Sequence, residues 1–118
     1  GKILMLDTSE DSTLNPQGIA GNGVAGMKLP SDVAVIAGFA VEDSDVVVTM
    51  SEDGWKAVSS EDVPTKGRGS QGVRVHTLRK GETTITQAFA GSNLTSGGES
   101  VTVSTRAQAT NKGTIVLD

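Results

Sequence analysis

Short runs of β-branched residues, interrupted every few positions by Gly, Asp, Ser or Pro, decide what this chain can become. Val33 to Ile36, Val46 to Met50, Val73 to Leu78, Thr83 to Ala88, Val101 to Thr105 and Thr114 to Leu117 read as strands, several of them alternating with period two. With 15 Gly in 118 residues, no long window sustains helical periodicity, and each interior glycine costs a helix about 1 kcal/mol relative to alanine. The pattern therefore predicts an all-β chain. Glu52-Asp53-Gly54 has the chemistry of a tight hairpin turn between Val46 to Met50 and Trp55 to Val58, because Asp and Gly tolerate positive φ. Lys80-Gly81-Glu82 predicts a second hairpin. Asn111-Lys112-Gly113 predicts a third, joining the Val101 to Thr105 strand to the last one.

The core must be built from Val, Ile, Leu and Ala, since the chain has one Trp, two Phe and no Tyr. The absence of Cys and the single histidine, His76, exclude a disulfide scaffold, a cysteine nucleophile, zinc fingers and multi-histidine metal sites. No cofactor and no metal are expected. The apolar stretch Ile3 to Leu6 is too short for a signal segment, and no run reaches the length of a membrane span. These features predict a soluble cytoplasmic protein without a membrane partner. A first residue of Gly1 rather than Met points to an excised fragment or a processed chain.

Charge is unevenly spread. The net charge of -4 argues against a nucleic-acid binder when taken alone. Residues 1–62 hold eleven acids against Lys2, Lys28 and Lys56, a net of −8, and the remainder carries +4. Pro64 to Lys80 contains Lys66, Arg68, Arg74, Arg79 and Lys80 with no acid, and includes His76. This basic stripe either meets an anionic partner or is a solvated strand face whose cations pair with acidic loops.

The chain also repeats itself. Pro16 to Leu29 aligns without a gap on Thr65 to Leu78, matching Gly18 to Gly67, Gly23 to Gly72, Val24 to Val73 and Leu29 to Leu78. Ser9-Glu10-Asp11 echoes Ser60-Glu61-Asp62, and Phe39-Ala40 echoes Phe89-Ala90. A period near 50 residues belongs to propeller-like arrays, in which each small sheet buries its faces against its neighbours. Two repeats are fewer than such an array needs. The expectation is a piece of a longer propeller, or blades that cover their faces by association.

Catalytic motifs fail in turn. Gly21 to Gly26 and Gly67 to Gly72 both satisfy GxGxxG, yet no helix follows either one, so the helix N-terminus that would hold a pyrophosphate is missing. Asp43-Ser44-Asp45 lacks the other ligands of a calcium loop. A Ser-His-Asp triad around His76 has no nucleophile elbow, and a lone histidine on a basic strand reads as a surface or phosphate-facing group.

The run from Asp53 to Arg74 resembles a blade of the C-terminal domain of the DNA gyrase A protein and its topoisomerase IV counterpart, and so does Pro16 to Leu29. Val46 to Thr49, Asp53-Gly54, Lys56, Glu61-Asp62-Val63 and Gly72-Val73 stand in order where that family has a strand, an NGxxKR turn, an acidic step and a Gly-Val entry to the next strand. The resemblance implies a β-pinwheel, a propeller variant whose blades exchange strands, with residues 1–118 a fragment holding about two repeats. It further implies a non-catalytic module that binds and bends duplex DNA, within a parent that is an ATP-dependent type IIA topoisomerase. Such a parent acts in the cytoplasm at the nucleoid, where the module is joined to the rest of its own gyrase-A-like protein and works with a B subunit. Lys66 to Gly72 corresponds to the family's Q-R-R-G-G-K-G box but keeps only Arg68, Gly69 and Gly72, and Gln17 to Gly23 keeps Gln17, Gly21 and Gly23.

On this reading Lys66, Arg68, Arg74, Arg79 and Lys80 neutralise phosphates, while Gly67 and Gly69 let backbone N–H groups approach the duplex. Such contacts position without reading sequence. Strand cleavage in the family uses a tyrosine, which this chain lacks, so the fragment cannot cut DNA. The alternative is a structural or protein-interaction β-repeat with no nucleic-acid role. Self-association of the fragment by strand swapping belongs to either reading. Leu94 to Asp118 matches the blade pattern poorly.

Overall fold

A computed structural model of the chain describes residues 2–5, 35–42, 44–65 and 72–118. The repeat segment Pro16 to Leu29, the start of the Val33 to Ile36 strand and four of the basic-stripe positions, Lys66, Gly67, Arg68 and Gly69, lie outside the described residues. Those that are described form an all-β structure with a single 3-10 turn at Ser60–Asp62 and no helix long and apolar enough to cross a membrane.

The strands are β1 (Lys2–Ile3), β2 (Val46–Ser51), β3 (Gly54–Ser59), β4 (Val73–Arg74), β5 (Ile85–Gly91), β6 (Thr95–Ser96), β7 (Glu99–Ser100) and β8 (Asn111–Lys112). An antiparallel four-stranded sheet of order β5-β2-β3-β8 forms the centre, flanked by the pairs β1-β4 and β6-β7. The β2-β3 hairpin is the first turn predicted above, with Val46 opposite Ser59 and Met50 opposite Trp55. A central strand is covered on both faces, and the valine run Val46 to Val48 supplies apolar side chains to each. Val47 meets Val58 across the pair and joins buried Val63 and Val75, with Ile3, Met5, Val41, Val73 and Ala90 packed around them. Val48 and Ala57 are buried on the opposite face.

Gly54 holds its place for a different reason from the one its turn chemistry suggests. Positive φ occurs at Gly72, Gly81, Gly97, Gly98 and Gly113, and Gly54 is not among them. A Cβ there would lie 3.1 Å from the Asn111 carbonyl oxygen, 3.1 Å from Thr110 Cγ2 and 3.2 Å from Arg79 Cδ. Close approach of β8 and of Arg79 is what requires glycine.

Four of the expected strands are shorter or absent, and Val35 and Ile36, the described half of Val33 to Ile36, are exposed and lie in no strand. Val73 to Leu78 pairs only at Val73–Arg74; beyond it Val75 packs with Val47 and His76 bonds Thr49 and Ser51, so two adjacent side chains turn to one face of β2 and the alternation of a strand is lost. Val101 to Thr105 forms no ladder and makes single backbone bonds, the Val101 N–H to Leu94 O and the Ser104 N–H to Ala57 O. Thr114 to Leu117 touches the β6-β7 pair through side chains and ends, with Ser96 Oγ donating to Val116 O at 2.8 Å and the Asp118 N–H to Thr95 O at 3.0 Å. The second and third predicted turns therefore do not close two-stranded ladders. Arg79 to Glu82 is a tight turn, closed by the Glu82 N–H to Arg79 O at 3.0 Å with Gly81 at φ 92, and it leads into β5, which pairs with β2. Asn111–Lys112 is itself the edge strand β8, paired with Gly54 and Trp55.

A candidate nucleic-acid interface

The basic segment enters the described structure at β4. Arg74 is exposed and directly opposite Lys2, also exposed. Past β4 the chain dives inward through Val75 and His76, then surfaces at the Arg79–Glu82 turn, whose Lys80 is exposed. Arg79 is half-buried, and its Nη1 donates to the Thr110 carbonyl at 3.2 Å. Of the predicted contacts within the described residues, Arg74 and Lys80 thus offer their charges to water, whereas Arg79 ties the turn to the segment before β8.

His76 is fully buried, which corrects its reading as a surface or phosphate-facing group. It sits under β2, with Nδ1 2.9 Å from Thr49 Oγ1 and Nε2 3.2 Å from Ser51 Oγ. Thr49 and Ser51 point the same way because they are two apart on one strand. Ser51 Oγ also faces two pure acceptors, the Gly54 carbonyl oxygen at 3.1 Å and Glu82 Oε2. Its single proton goes to one of these, so it must accept from the ring, which assigns hydrogen to Nε2 and leaves Nδ1 to accept from Thr49. Burial is the largest influence on this imidazole and holds its pKa below the ordinary value. Nδ1 faces the Thr49 hydroxyl, and Ser51 is itself buried. The arrangement is a hydrogen-bonded strut between β2 and the segment that follows β4.

Two carboxylates cross between neighbouring turns. Glu52, at the tip of the β2-β3 hairpin, accepts from the Thr83 N–H at 2.6 Å, the Thr84 N–H at 2.8 Å and the Thr83 hydroxyl at 3.2 Å. Glu82 reaches back, accepting from the Asp53 and Arg79 N–H groups at 2.7 Å each and from Ser51. Backbone donors at Thr83 and Thr84 hold the Glu52 carboxyl below the usual range, and the Ser51 hydroxyl, followed by burial acting the other way and then the Asp53 and Arg79 amides, leaves Glu82 low as well. The turn that presents Lys80 is therefore also fixed by two anions.

Lys56 and Arg106 take part in ways that chain position does not announce. Lys56 is buried, and its Nζ donates to the carbonyl oxygens of Arg106, at 3.2 Å, and Gln108. Burial lowers its pKa while the nearby Asp62 charge works against that shift. Arg106 sits on a turn in which the Gln108 N–H bonds Thr105 O at 3.1 Å, and its backbone N–H donates to Asp62 Oδ2. Its Nη1 reaches the Arg74 carbonyl at 3.3 Å. Arg106 lies 32 residues from Arg74 in a stretch with no charge pattern, so only the folded contact brings it to the basic segment.

Against known proteins, the chain is 39% identical over 117 residues, 96% of its length, to the topoisomerase subunit TopoM of Mycolicibacterium smegmatis. It spans 16% of the length of that relative. No family profile matches it. No solved structure matches it either. Nearly the whole of this all-β chain is therefore similar in sequence to one segment of a topoisomerase subunit.

Proposed function

We propose that the chain is a non-catalytic module that binds and bends duplex DNA in a bacterial type IIA topoisomerase, and that residues 1–118 are a fragment of a gyrase-A-like C-terminal β-pinwheel. The observation that carries this reading is the 39% identity over nearly the whole chain to a topoisomerase subunit. The antiparallel sheet of order β5-β2-β3-β8 supports it, since four strands of this kind are the form of a propeller blade. Exposed Arg74 and Lys80 support a sequence-independent phosphate rim that continues through Lys66, Gly67, Arg68 and Gly69, with Arg79 bracing the turn beside it. The parent acts in the cytoplasm at the nucleoid. Its partners are a B subunit and the remainder of the gyrase-A-like protein, and isolated fragments associate by exchanging strands.

The test is duplex binding by fluorescence anisotropy across a salt series, comparing wild type with a variant in which Lys66, Arg68 and Arg74 are all Ala. Wild type should bind at low salt with log K falling linearly with log salt, and the variant should lose roughly 0.9 of slope per phosphate contact removed. One observation favours the alternative of a structural or protein-interaction repeat: Arg79 is turned inward onto Thr110. Absence of wild-type binding at low salt would mean that these blades are structural spacers or that the competent surface needs further repeats, and would put that alternative ahead.

A further inference from the structure

Two stretches rich in β-branched residues, 101–103 and 114–116, belong to no ladder. The Val101 N–H bonds Leu94 O and the Val116 carbonyl accepts from Ser96 Oγ, but among the described residues no acceptor takes the N–H of Thr102, Val103 or Ile115. Together with the β6-β7 pair these stretches bound a groove of about 270 Å³, with Trp55, Glu99, Thr102, Ile115 and Val116 in its lining. That volume falls below the roughly 300–1,000 Å³ of clefts that enclose a small-molecule ligand, and it suits one long side chain.

Trp55 and Glu99 give the groove its chemistry. Trp55, half-buried on β3, is the aromatic residue of the lining. Glu99 is exposed and stands directly opposite Ser96, so the two side chains share one face of the β6-β7 pair, and both line the groove. Among the described residues no donor is bonded to the Glu99 carboxylate, and the lining includes no cation. The neighbouring lysines are turned away by strand alternation. Lys56 follows Trp55 on β3, and Lys112 follows Asn111, which stands opposite Trp55, so both project from the other face of the sheet. Val116, 76% exposed, leaves an aliphatic surface at the rim.

We propose that this groove docks a peptide segment of another protein as an added strand along residues 101–103, with an arginine of that segment seated between Trp55 and Glu99. The N–H groups of Thr102 and Val103 supply main-chain bonds of the kind that fix an added strand. A guanidinium stacks on an indole face and forks onto a carboxylate, a combination that a neutral side chain does not offer. Charge selects this occupant. A single-stranded nucleic acid would stack a base on Trp55, but its phosphates would meet Glu99 with no cation in the lining. A second copy would offer its exposed Val35, Ile36 and Phe39, yet residues 35–42 hold no cation and one acid, Glu42. The site is independent of duplex contact, since it presents no positive charge to a phosphate.

Trp55 is the only tryptophan of the chain, so its emission reports on the seat. The experiment titrates the 118-residue chain with the peptide acetyl-Thr-Val-Arg-Val-Thr-amide and with its counterpart carrying Gln in place of Arg. The arginine peptide should change Trp55 emission saturably, and the glutamine peptide should bind about tenfold more weakly. Glu99→Gln should weaken the arginine peptide about two- to fivefold, and Thr102→Pro should abolish its binding, with thermal melts by circular dichroism establishing that both variants are folded. Of two arginine peptides N-methylated on opposite edges, one at both Val amides and one at Arg and the last Thr, one should fail to bind. Equal binding of the arginine and glutamine peptides, or of the arginine peptide to wild type and Glu99→Gln, would overturn the seat, and binding of both methylated peptides would overturn the added strand. Absence of peptide binding in emission and in calorimetry would overturn the proposal outright. Quenching of Trp55 by oligo-dT in place of the peptide would assign the groove to single-stranded nucleic acid, and emission that shifts with protein concentration alone, with a dimer in sedimentation, would assign it to a second copy. Either result overturns the proposal.

Discussion

Because His76 is shut away from water between Thr49 and Ser51, a proton taken up on its ring has no solvent to share the charge. Its pKa in the folded chain lies below the unfolded value of about 6.5, so between the two values the unfolded chain binds more protons. The stability it contributes is therefore complete above about pH 6.5 and is lost as pH falls through the lower folded value. Urea unfolding of wild type should show a midpoint that drops as pH falls below about 6.5, and His76→Gln should weaken that dependence. Glycine at position 54 answers to sterics, since a Cβ there meets Asn111 and Thr110 at 3.1 Å each. Gly54→Ala should cost about 1–3 kcal/mol in chemical denaturation. Neither role is written in the residues around these positions. A histidine inside a run of arginines looks like part of the charged face, and it is buried only because Val75 and His76 both turn inward where the strand ends at Arg74.

The β2-β3 hairpin and the Arg79–Glu82 turn lock together through Glu52 and Glu82, each capping backbone donors on the other's loop. Removing one carboxylate should release a defined set of amides. In hydrogen exchange Glu52→Ala should speed Thr83 and Thr84, and Glu82→Ala should speed Asp53 and Arg79, with little change elsewhere in β2. The same hairpin carries the core, and Val47→Ala should destabilise by about 2 kcal/mol, because Val47 lies between Val58, Val63 and Val75. Elements of this kind are legible in sequence: valine runs flanking Glu52-Asp53-Gly54 predict two strands and the turn between them, and the structure has them in that register. Runs that depend on distant partners are not. Val101 to Thr105 has the residues of a strand, but its N–H groups find Leu94 and Ala57 instead of a continuous neighbour, so composition alone misassigns it.

Over the whole molecule, contacts between distant parts of the chain decide what the surface offers. The all-β class follows from residue pattern, and relation to a topoisomerase subunit is in line with the family that the blade motifs resemble. Which cations face outward does not follow from pattern, because Lys2 and Arg106 reach Arg74 from opposite ends of the chain while Arg79 is drawn in by Thr110. Lys56 gives this cross-linking a chemical handle. Its amine is enclosed by the carbonyls of Arg106 and Gln108, beyond reach of an acylating reagent while the turn is closed. Exposed lysines such as Lys80 and Lys112 should label at once, and Lys56 only when the turn opens. Mass spectrometry of the modified peptides over time would then read the opening rate of the turn directly.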